Sequence, residues 1–86
     1  MIATLLATGV QGMPPGTNLY QLDEPIDGFE FVDVCSAAMY DQTFVIGCNS
    51  EGFVEATSME GIWHCDEFVS HADALAAVGY TEEVTA

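Results

Sequence analysis

Apolar positions along the chain fall into short runs broken by glycine, proline and acidic stretches. That rhythm predicts several short strands joined by turns. Residues 2–8 (IATLLAT) read as a strand, and the segment holding Gly9, Gly12 and Met13-Pro14-Pro15-Gly16 as a loop. Residues 18–22 (NLYQL) read as a second strand, and 23–28 (DEPIDG) as a turn that Pro25 stiffens and Asp27-Gly28 closes. Residues 29–39 and 43–48 are rich in β-formers, Asn49 to Gly52 reads as a turn, and Phe53-Val54 as a brief strand. Residues 57–61 read as loop and 62–65 (IWHC) as a last strand.

One helix is expected near the C-terminal end. Ser70 is placed to cap it, Asp73 stands three residues on as capping-box partner, and HADALAAV supplies strong helix formers. Gly79 fits the left-handed position after the last turn, with Tyr80 folding back on the helix. A helix this short must dock on the sheet to persist. The pattern therefore predicts an α+β fold, a small antiparallel sheet of four to six strands packed by one C-terminal α-helix. Residues 1–86 are expected to form a single domain, with 1–17 as an N-terminal strand and loop.

The two β-rich runs also suggest a register. A hairpin centred on Asp41-Gln42 sets Met39 against Phe44, Ala37 against Ile46 and Cys35 against Cys48, with all six on one face.

Charge changes the picture most. The chain has fourteen Asp and Glu, two His and neither Lys nor Arg, for a formal net charge of −14. A chain this long ordinarily carries about ten cations. The carboxylates are therefore expected to face water and repel one another. Direct nucleic-acid binding is disfavoured because phosphate contacts need Lys and Arg, and anionic membranes are disfavoured for the same reason. A basic protein surface is the natural partner. The odd set Cys35, Cys48 and Cys65 contains no CxxC pair and fits a reducing cytosol, with the thiols expected to be free. The first ten residues lack a basic signal-peptide region, and their apolar run is too short to span a membrane.

Candidate chemistry is sparse. His64, Cys65 and His71 lie close in sequence, but the paired short spacings of a zinc site are absent, so no metal and no cofactor are expected. A catalytic thiolate at Cys65 would need cations that the chain lacks. Carboxylate pairs can always be found among fourteen acids and point to no reaction, so an enzyme is not expected. Asp23, Glu24, Asp27, Glu30 and Asp33 put five acids into eleven residues, but strand alternation divides Glu30 from Asp33, and no two acids anywhere are spaced i, i+2. No regular phosphate-like ladder follows from a single strand.

Tyr20, Leu22, Asp23, Pro25, Asp27-Gly28, Phe31-Val32, Val34, Gly52, Val54, His71, Ala74-Leu75 and Gly79-Tyr80 form a recurring pattern. It runs Y-x-L-D-x-P, D-G, a β-run, G-x-V and H-x-x-A-L-x-x-x-G-Y. In this the chain resembles a group of small uncharacterised proteins from actinobacteria and their phages, over about two-thirds of its length. Members often carry a Tyr-Arg-Gly-like segment where Trp63-His64-Cys65 stands here. The resemblance implies a phage or actinobacterial accessory context. The expected function is that of a phage-type accessory protein in the host cytosol, binding a basic host protein and modulating it by inhibition. Asp23, Glu24, Asp27 and Glu30 are the expected contact acids, with Trp63 as aromatic anchor. Nucleic-acid mimicry and a virion decoration role are the alternatives.

Overall fold

The computed structural model describes residues 1–13, 15–26, 28–37, 42–54, 62–65 and 68–84, with residue 37 and residues 62–65 described by backbone alone. Among the described residues six strands form one sheet: β1 (Ile2–Thr8), β2 (Thr17–Ile26), β3 (Phe29–Ala37), β4 (Gln42–Cys48), β5 (Ile62–Cys65) and β6 (Thr81–Glu83), with α1 (His71–Ala77) between the last two. The sheet order is β5-β4-β3-β2-β1-β6. The first five strands form an antiparallel meander, and β6 pairs parallel to β1. The fold is thus α+β, and the parallel strand departs from the expected all-antiparallel sheet. Phe53-Val54 is not a strand.

The helix ends follow the capping rules read from the sequence. The Ser70 hydroxyl accepts the Asp73 N–H at 3.1 Å. At the other end, Tyr80 N–H reaches Leu75 C=O at 2.9 Å and Gly79 N–H reaches Ala76 C=O at 3.0 Å. Gly79 sits at φ 93°, so the helix closes in a Schellman motif that favours glycine there. Seven residues are too few for a helix to hold alone. Ala74 and Leu75 lie in one buried cluster with Ala3, Tyr20, Leu22, Val32, Val34, Val45 and Tyr80. Burying Leu75 contributes about 1.5–3 kcal/mol. The segment before the helix is pinned through hydroxyls: Thr43 Oγ1 donates to Val69 C=O at 2.8 Å and accepts Val69 N–H at 2.9 Å, and Ser36 Oγ donates to the same carbonyl at 2.6 Å.

The β3–β4 register corrects the expected one. Cys35 lies opposite Phe44, and Cys48 opposite Phe31. The two free cysteines are therefore four positions apart along the strands, roughly 13 Å, beyond disulfide reach. A slip of four keeps every side chain on its own face, so alternation cannot tell the two registers apart. Two local contacts can. Gly47 lies under the Phe29 ring, where a Cβ would come within 2.6 Å of Cγ. Thr43 lies opposite Ser36, which brings both hydroxyls to Val69.

The turn at Asn49 forms as read. Its side-chain Oδ1 accepts Glu51 N–H at 2.9 Å and Phe53 N–H at 3.1 Å. Gly47→Ala should lower stability by about 1–3 kcal/mol, because the ring and strand must move apart. A urea midpoint equal to wild type would show that the Phe29 contact does not hold the register.

Candidate functional site

The β2–β3 ladder is interrupted where the acids lie. Gln21 pairs with Phe31 and Ile26 with Phe29, so residues 22–25 of β2 span the length of Glu30 alone. Pro25 has no N–H to continue the ladder, and an unequal count of this kind bends the strand and turns side chains outward. The expected 23–28 turn is in fact this bulge, with the strand running on to Ile26. The bulge is braced from two sides. Ile2 N–H donates to Asp23 Oδ1 at 2.8 Å, and the Tyr80 hydroxyl donates to Glu24 C=O at 2.6 Å. Burial first, and then the charges of Asp23 and Glu24, push the Tyr80 phenol up, which keeps it a donor.

Beside the bulge lies an open groove of about 360 Å³ lined by Thr4, Gln21, Leu22, Asp23 and Glu30. The carboxylates of Asp23, Glu24 and Glu30 are exposed. Of the expected contact residues, the structure thus brings Asp23 and Glu30 onto one groove, with Glu24 on the same bulge. Asp27 lies outside the described residues. Trp63 lies in β5 opposite Val45 by backbone register, at the opposite edge of the sheet from β1 and separated by β4 from the strands that line the groove. Its side chain is outside the described set. Met1, Ile2, Leu6 and Val84 add exposed apolar surface along the β1 and β6 side of the sheet. Tyr20, buried, donates its hydroxyl to Glu82 Oε2, so a neutral donor again satisfies a carboxylate.

Asp33 overturns the expectation that the acids face water. It is 0% exposed, and neither carboxyl oxygen has a hydrogen-bond partner. It pairs across the sheet with Leu19 and Ile46. The Cys48 thiol stands near enough to act on it electrostatically, without a well-formed hydrogen bond. Burial pushes the Asp33 carboxyl up from 3.8 to about 7, with Cys48 pulling slightly the other way. Burial, and then the nearby Asp33 charge, push the Cys48 thiol well above its ordinary range, which makes it a poor nucleophile.

The signal for Asp33 was present in the sequence. Residues 29–35 carry apolar side chains at both odd and even positions, the pattern of a strand covered on both faces. Among the described residues no group of three or more His, Cys, Asp and Glu is placed to hold a metal, and no helix is long and apolar enough to cross a membrane.

The meander with its parallel edge strand, the short capped helix and the cation-free acidic surface define a small acidic α+β protein. The chain belongs to a family of unknown function (DUF7572), whose family model matches residues 1–81. Comparison with curated proteins found no match, and comparison with solved structures found none.

The Asp33 carboxyl carries a pH prediction. Its folded value lies above its unfolded one, so its contribution is fully present below pH 3.8 and is lost as pH rises to about 7. The loss amounts to about 4 kcal/mol. Urea denaturation from acidic to neutral pH should show stability falling across that window and levelling above it, with the fall removed in Asp33→Asn. An identical fall in the variant would assign the effect to other groups.

Proposed function

We propose that this chain is an accessory protein of phage type that binds a basic surface of a host protein and inhibits it by occupying that surface. The observation that carries the reading is the β2 bulge, which sets exposed Asp23, Glu24 and Glu30 on and beside one groove in a chain without Lys or Arg. The chain has neither Lys nor Arg to compete with a partner's cations for these carboxylates. The phage and host setting comes from the pattern of residues 20–80 described above. The role is binding rather than catalysis. The carboxylates speed encounter, and apolar contacts, with Trp63 as the proposed anchor, set how long the complex lasts.

The test is a pull-down from an actinobacterial lysate, followed by binding kinetics on the recovered partner. Replacing Asp23, Asp27, Glu24 and Glu30 with their amides should slow association by about tenfold at low salt and flatten its salt dependence, with little change in dissociation. Trp63→Ala should mainly speed dissociation. An association rate unchanged by the amide variant contradicts the electrostatic reading. Co-purification with virions in place of a basic host protein would point to a decoration role.

A further inference from the structure

One oxygen of the Asp33 carboxyl lies against a turn. A Cβ on Gly52 would stand 3.2 Å from Asp33 Oδ1 and 2.9 Å from Val10 Cγ1, so among the described residues the Gly52 backbone and the Val10 side chain lie over this oxygen. Below it lie β2, β3 and β4, joined by continuous ladders at this level. Water reaching the carboxylate from below would have to part the centre of the sheet. On the other side, among the described residues, lies the turn that carries Gly52.

That turn is built to move as a unit. Gly52 N–H donates to Asn49 C=O at 3.0 Å, Asn49 N–H to Phe53 C=O at 3.1 Å, and both Glu51 and Phe53 N–H groups to Asn49 Oδ1. These bonds all close within residues 49–53, so they survive displacement of the turn. Its contact with the 9–13 loop is the fit of Gly52 against Val10. The loop is held in turn by Gly9 N–H to Thr17 C=O at 2.8 Å and Met13 N–H to Val10 C=O at 3.1 Å.

The groups facing Asp33 offer its anion no cation and no formed hydrogen bond, only the Cys48 thiol nearby. From β2 comes Leu19, and from β4 come Ile46 and the Cys48 thiol. Cys35 is the next residue of β3 on the same face, and Glu51 is exposed on the covering turn. The titratable groups among these are two thiols and a carboxylate; on the same face His64 of β5 stands opposite Phe44 by backbone register, and the chain has no Lys or Arg to add. A buried carboxylate left without partners neutralises or gains water.

We propose that Asp33 and the 49–53 turn form a pH-dependent latch, closed over the protonated carboxyl in mild acid and lifted to hydrate the carboxylate as pH rises to neutrality. The latch is independent of the acidic groove and of any partner.

Amide hydrogen exchange, resolved by residue with NMR on the full chain, tests this. Protection factors at Asn49, Gly52 and Phe53 should fall about tenfold per pH unit through the acidic range and level off near neutrality. Their exchange should be insensitive to low urea, while that of Val32 and Val34 in β3 should accelerate with urea, as global unfolding does. Asp33→Asn should remove the pH dependence at the turn. Turn and β3 amides sharing one protection level and one urea response at every pH would overturn the latch. So would an Asp33→Asn protein that retains the wild-type pH profile at the turn.

Discussion

A chain with fourteen carboxylates and neither lysine nor arginine must be held together almost without ion pairs, and the structure is arranged around that constraint. Among the described residues, the side-chain carboxylates that accept hydrogen bonds take them from neutral donors. The Tyr20 hydroxyl serves Glu82, and the Ile2 backbone N–H serves Asp23. Hydroxyls also take over structural joints that a charged side chain often makes. Thr43 and Ser36 fasten the segment before the helix, and Tyr80 fastens the β2 bulge. A neutral hydrogen bond contributes only about 0.5–1.5 kcal/mol net. Cohesion therefore rests on the apolar cluster of the central strands with Ala74, Leu75 and Tyr80.

The same constraint separates two kinds of acid. Asp23, Glu24 and Glu30 stand in water on the bulge, where their mutual repulsion is screened and their charge is available to a partner. Asp33 stands on the second face of the sheet with no hydrogen-bond partner among the described residues. An ordinary protein can place an arginine beside such a group, but this one can only neutralise it or hydrate it. The exposed acids suit recognition, and the buried one makes stability depend on protonation.

Much of the architecture was legible in the residues. Ser70, Asp73 and Gly79 marked the helix because each occupies a position that only a few side chains satisfy. The turn at Asn49 was legible for the same reason. The β3–β4 register was not, since a four-residue slip preserves alternation and the deciding contact, Phe29 over Gly47, lies beyond any local pattern. The short parallel strand β6 is defined by pairing with β1 across the whole length of the chain, as in Thr81 N–H to Met1 C=O at 2.9 Å. The acids 23, 24 and 30 were identifiable as a group, but their placement on a bulge depends on a pairing that skips residues 22–25. Charge alone marks Asp33 as solvated, and only the two-faced apolar run around it, residues 29–35, marks it as buried.

The carboxylates of this protein repel one another without Lys or Arg to balance them. Chemical denaturation at neutral pH across a series of sodium chloride concentrations, from dilute buffer to the sub-molar range, tests it most directly. Screening shortens the reach of the repulsion to about 10 Å or less in this range, and the compact state gains more from it than the expanded chain. The account predicts a urea midpoint that rises steadily with salt. A midpoint that is flat, or that falls as it does for a protein held by ion pairs, would contradict it.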